Sequence, residues 1–109
     1  VDPAAPVARE EIFGPVAVVL PYADVDDAVR IANSTEYGLA GSVWGADTER
    51  AEQVAGRFRA GSVAVNSSAA MDLGSPFGGM GRSGTGRECG PEGVTGFVEH
   101  QSIVVPAAR

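Results

Sequence analysis

The constraint that weighs most on this chain is an alternation of short β-branched runs with two helical stripes. Residues 16–20 read VAVVL, apolar on both faces, as a strand covered on both sides does. Pro21 and Asp24 follow, and Val25, Ala28, Val29 and Ala32 then recur at i, i+3, i+4 and i+7. That spacing is one face of a helix over residues 25–33. Asp24 is placed to cap it, and Asp26 and Asp27 stand in the first turn, where negative charge complements unpaired N–H groups. Residues 34–38 break the pattern, and a second strand is expected over 39–45. Asp47 or Thr48 opens a second helix with the stripe Ala51, Val54, Ala55 and Phe58. Gly61 sits where a left-handed cap would close it. Residues 62–66 (SVAVN) read as a third strand. Strand, helix, strand, helix, strand with short connections predicts an α/β fold, βαβαβ, on a three-stranded parallel sheet.

After Asn66 this order dissolves into a long Gly-rich loop. Seven of the 15 glycines fall within residues 67–90. Pro91 opens a short C-terminal helix through Val94, Phe97 and Val98, weakened by Gly93 and Gly96, and residues 102–105 form a last short strand. The whole is 109 residues, room for one small domain. Its 17 Ala and 15 Val against three Leu and three Ile predict a core built from small pieces.

The charges exclude several function classes. Fourteen acidic residues face eight basic ones, all of them Arg, for a net charge of −6. An acidic chain with scattered Arg lacks the clustered basic face that phosphate neutralisation needs, so nucleic acid is not an expected partner. No apolar run approaches the ~20 residues of a membrane helix, and no signal-peptide pattern opens the chain. Cys89 is the only cysteine, which excludes a disulfide framework and fits a cytoplasmic protein.

Three local patterns invite a chemical reading. Gly79, Gly81 and Gly84 spell G-x-G-x-x-G, with Glu99 about twenty residues on. A dinucleotide fingerprint turns directly from a strand into a helix, whereas the nearest strand here ends at Asn66, so the match fails its context. Glu10 and Glu11 resemble a carboxylate pair, yet neighbours in extended chain point to opposite sides. Glu11 and Phe13, two apart, can share a face; by spacing alone Glu10 and Glu11 read as a solvated Glu pair before a turn at Gly14-Pro15. Cys89 has Arg87 nearby to favour its thiolate and Glu88 to oppose it. With His100 the only histidine, it reads as an incidental thiol. One His and one Cys do not make a metal site of the usual ligand count.

Residues 10–16 (EEIFGPV) together with residues 75–90 (SPFGGMGRSGTGRECG) resemble the aldehyde dehydrogenase superfamily. The likeness runs over about residues 7–105, with the intervening blocks in family order. It implies that residues 1–100 are the C-terminal part of an aldehyde dehydrogenase catalytic domain and that 101–109 are an oligomerisation strand and tail. It implies further that Glu11 hydrogen-bonds the nicotinamide-ribose hydroxyls of NAD or NADP and that Phe13 packs beside the nicotinamide. By gapless alignment Met71 and Phe77 fall among the aromatic positions around the family's substrate channel. Ser67, Ser68, Ala69 and Ala70 are smaller than many relatives carry there, which implies a roomier or reshaped channel. Gly81 stands where many relatives have Lys.

The resemblance also places the family's nucleophilic cysteine, its general-base glutamate and the nucleotide-binding domain upstream of Val1, and Cys89 is not that nucleophile. No residue of this chain is therefore expected to be catalytic. Two readings follow. In one, the chain is the end of an NAD(P)-dependent aldehyde dehydrogenase, a homo-oligomer acting on an aldehyde, and needs the missing N-terminal portion or a partner chain. In the other, it is a non-catalytic binding or assembly module derived from that segment.

Overall fold

A computed structural model of the chain describes residues 1–107. Its elements are α1 (Pro6–Arg9), α2 (Val25–Ala32), β1 (Ala40–Val43), α3 (Thr48–Ala55) and β2 (Ser62–Val65), followed by 3-10 turns at Gly81–Ser83 and Pro91–Phe97. The two helical stripes fold as their spacing dictates. Asp24 caps α2 by accepting from the Asp27 N–H at 2.9 Å, and Asp47, not Thr48, caps α3 through the Arg50 N–H at 3.0 Å. The buried apolar residues are Val29, Ala51, Ala55 and Ala64, a core of small side chains.

β1 and β2 pair in parallel, with Ala40 opposite Ser62 and Val43 opposite Val65, and α3 packs on both strands as the crossover between them. Asn33, the C-cap of α2, ties that helix to the α3–β2 connection. Its Nδ2 donates to the Arg57 carbonyl at 2.9 Å, and its Oδ1 accepts from the Arg59 N–H at 2.8 Å. An Arg57–Asp26 ion pair at 2.7 Å spans the same gap.

The three-stranded sheet is corrected to two strands. Residues 16–20 form no strand and have no ladder partner among the described residues, and Val19 is 79% exposed. A β-branched run becomes a strand only when a neighbour accepts and donates its backbone hydrogen bonds. The run 102–105 likewise forms no strand and has no ladder partner among the described residues, with Val104 88% exposed. Residues 108–109 of the tail lie outside the described residues. Conversely, α1 is a single turn that Pro6 starts, in a stretch whose sequence reads as a lead-in.

Gly61 is corrected too. α3 already ends at Ala55, with Gly56 as its cap in right-handed conformation (φ −62°), and Gly61 serves a close backbone crossing instead. A Cβ on Gly61 would stand 1.5 Å from the Gly78 carbonyl oxygen. The overall outline is extended, 69 × 33 × 28 Å with a radius of gyration of 18.8 Å. A compact chain of this length would have a radius of about 13 Å.

Candidate functional site

The segment before β1 is where the Gly-rich loop docks. The Gly38 carbonyl accepts from the N–H groups of Gly61 and Met80, both at 3.0 Å, and the Gly38 N–H donates to Ser83 Oγ at 3.1 Å. Arg82 completes the seam: its N–H donates to the Glu36 carbonyl at 2.9 Å and its Nη1 reaches Glu36 Oε2 at 2.9 Å. Its guanidinium carbon lies 5.9 Å from the Tyr37 ring centroid, within cation–π range. The loop is thus held by backbone groups at the strand entrance together with the Ser83 and Arg82 side chains.

Of the cavities around this seam, three reach the residues that the sequence singles out. The first, about 560 Å³, is lined by Glu11, Tyr37, Leu39, Phe58, Arg59 and Ser83 among others. The second, about 340 Å³, is lined by Ala64, Ala69, Ala70, Met71, Asp72 and Phe77 among others. The third, about 380 Å³, shares Leu39 and Ser83 with the first and Phe77 with the second. The structure therefore brings Met71 and Phe77 to one cavity and puts Glu11 in another, and the third cavity has lining residues in common with both. Phe13 borders none of the three, and its ring is fully exposed. Glu10 lines none of them either, and its N–H closes α1 on the Pro6 carbonyl at 2.9 Å.

Glu11 makes no hydrogen bond or ion pair among the described residues, so its carboxylate keeps its full acceptor capacity. Phe77 is fixed by its backbone, which exchanges two 2.7 Å hydrogen bonds with Glu88. Cys89 follows at φ +58°, half-buried, while the Arg87 guanidinium is engaged with backbone carbonyls. Gly79, Gly81 and Gly84 lie in the loop and its 3-10 turn, with no strand leading into them.

Leu39 and Ser83 are cavity-lining residues that the sequence does not single out, and Arg87 stands out there only as a neighbour of Cys89. Leu39 reads as the first residue of a strand, and Ser83 as one more small loop residue. Arg87 carried a signal: a Gly-dense stretch has carbonyls that need donors, and an arginine inside it brings five.

The aldehyde dehydrogenase family model matches residues 1–103. A geranial dehydrogenase of Castellaniella defragrans is 46% identical over 103 residues, covering 94% of this chain and 21% of that enzyme. Among solved structures, an aldehyde dehydrogenase of Mycobacterium tuberculosis complexed with NAD+ superimposes with a TM-score of 0.91. It is 47% identical, with 97% of this chain and 22% of that one covered. A variant of aldehyde dehydrogenase C from Pseudomonas syringae, complexed with NAD+ and octanal, gives a TM-score of 0.90 at 47% identity, covering 100% of this chain and 23% of that one. The chain thus spans about a fifth of the length of the relatives it matches. The 109 residues belong to the aldehyde dehydrogenase family.

Proposed function

We propose that this chain is the C-terminal segment of an NAD(P)-dependent aldehyde dehydrogenase that oxidises an aldehyde to a carboxylic acid. The observation that carries the reading is the Glu11 carboxylate, uncommitted among the described residues, on a cavity of about 560 Å³ whose lining residues Leu39 and Ser83 also line a cavity with Phe77. That volume lies in the range of small-molecule sites. The residues fit a nicotinamide nucleotide: a free carboxylate accepts two neighbouring ribose hydroxyls, and an uncovered phenyl ring offers an apolar face to a flat heterocycle. NAD or NADP bound there would supply the hydride acceptor. Glu11 orients the ribose, Phe13 limits the tilt of the ring, and Met71 and Phe77 wall off the aldehyde's body from water.

The nucleophile and general base come from outside these residues. Cys89 has no histidine near it in sequence, and the Arg87 guanidinium donates to carbonyl oxygens of the loop. The 109-residue chain alone is therefore inactive, and its contribution to the complete enzyme is positioning. Its single free thiol suits the reducing cytoplasm. The exposed run of Ile103, Val104 and Val105 favours an assembly role for the tail, as a strand added to a neighbouring subunit of a homo-oligomer. The non-catalytic alternative keeps that assembly role and drops the cofactor.

The test uses the complete polypeptide that carries this segment. Glu11→Gln slows hydride transfer about tenfold or more while thermal unfolding stays in place, and Glu10→Gln leaves transfer near wild type. A full loss from Glu10→Gln with none from Glu11→Gln reverses the assignment.

A further inference from the structure

Arg87 lies half-buried inside the Gly-rich loop and turns its guanidinium onto that loop's own backbone. Nη1 donates to the carbonyls of Gly79 and Gly86, both at 2.8 Å, with Thr85 O more distant at 3.4 Å. Nη1 carries two hydrogens, and the two short bonds use both. The arginine stem runs over Gly78, where a Cβ would come within 3.0 Å of Cδ and Nη1 and 2.2 Å of the Gly86 carbonyl oxygen. Only a glycine leaves room for this crossing. On either side of the clamp stand Phe77 and Glu88, joined by their two backbone hydrogen bonds.

Between those two residues the chain has glycine at positions 78, 79, 81, 84 and 86. Glycine brings no side chain to pack and the largest backbone freedom to lose, so such a loop has little of its own to define one shape. We propose that Arg87 is a positioning residue that, by clamping the Gly79 and Gly86 carbonyls, holds Phe77 at the wall of the aldehyde channel. The proposal rests on the reading of Phe77 as a channel residue given above. Both bonds leave Nη1, whose two N–H groups diverge in the fixed plane of the guanidinium and so meet the two carbonyls in one geometry. An ammonium on a Lys stem is a compact point charge with rotating donors and does not fix that plane.

In the complete enzyme, the wild type is compared with Arg87→Met, Arg87→Lys, Phe77→Ala and the double variant Arg87→Met/Phe77→Ala. Hydrogen exchange reads the clamp without substrate. The Phe77 and Glu88 amides exchange about tenfold faster or more in Arg87→Met, the amides of β2 stay as in wild type, and Arg87→Lys falls between. Unchanged exchange at Phe77 and Glu88 overturns the clamp. Steady-state kinetics over straight-chain aldehydes from acetaldehyde to octanal then read its purpose. Arg87→Met lowers kcat/KM for octanal about tenfold, chiefly through KM, and lowers it much less for acetaldehyde. In the Phe77→Ala background the same change adds nothing further.

A Phe77→Ala profile identical to wild type sinks the channel reading and the proposal with it. A shifted Phe77→Ala profile beside an unshifted Arg87→Met profile sinks the proposal alone, as does an equal loss along the whole series or full additivity. Should Arg87→Met fail to fold, Arg87→Lys decides by the same two measurements, and wild-type exchange with a wild-type profile is the overturning result.

Discussion

At the scale of single residues, Asn66 shows how a side chain can decide where a strand ends. It takes a left-handed backbone conformation, φ +51°, which short polar side chains tolerate better than others. Its Oδ1 accepts from the Gly45 N–H at 2.9 Å, and its Nδ2 donates to the Gly45 carbonyl at 3.0 Å. The ends of β1 and β2 are thereby locked side by side. Asn66→Ala loses both bonds and keeps the backbone strain, so it destabilises the complete protein by about 1–2 kcal/mol. Asn66→Gly loses the bonds but not the conformation and costs less. Denaturant midpoints check the order of the two variants, and equal losses would show that the backbone conformation contributes nothing. Glu11 stands at the opposite extreme, a side chain that the other described residues leave without a hydrogen bond or ion pair.

At the scale of elements, α2 carries a pH dependence of known sign. Asp27 accepts from Arg30 at 2.6 Å and from the Ala23 N–H at 3.1 Å. The Arg30 bond and then the Ala23 bond hold its carboxyl below the ordinary value of 3.8. Because the folded value is the lower one, the stabilisation is complete above the unfolded value and is lost as pH falls through the folded one. The group is exposed, so the effect is small. Helicity of α2 therefore falls as pH drops below 3.8, and Asp27→Asn flattens that acid limb. Circular dichroism across the acid range reads the difference between the two proteins, and parallel acid limbs would remove Asp27 from the account. The capping residues Asp24 and Asp47 act at the same scale. Each turns an orphan N–H into a bonded one at the helix start its sequence position announces.

At the scale of the whole molecule, the radius of gyration of 18.8 Å exceeds the compact expectation of about 13 Å, and the buried core comprises Val29, Ala51, Ala55 and Ala64. Large apolar side chains instead face outward at both extended runs, Val19 in one and Ile103, Val104 and Val105 in the other. Apolar surface of this extent seeks cover. The isolated chain should therefore associate, and truncation after Gln101 should lower the association state seen by light scattering. Monomers for both forms at the same high concentration would remove the assembly role from the tail. The isolated chain should also yield no NADH or NADPH from any common aldehyde. A yield that disappears in Cys89→Ser would overturn the view that the reacting groups lie elsewhere.

What the amino-acid order determined by itself is local. The stripes at Val25–Ala32 and Thr48–Ala55, their aspartate caps and the parallel pair β1–β2 all follow from periodicities and hydrogen bonds within a few residues, or across one crossover. Only the tertiary structure decided the rest. Residues 16–20 have the composition of a buried strand and join no ladder among the described residues, because a strand is made by its neighbour and not by its own side chains. Gly61 has the position of a cap and serves instead to let the Gly78 carbonyl pass. Arg87 stands beside a cysteine in sequence, yet its guanidinium belongs to Gly79, eight residues away. Period and capping act along the chain and are written in it. Close approach and strand pairing depend on what arrives from elsewhere, and a run of glycines carries no pattern that could announce it.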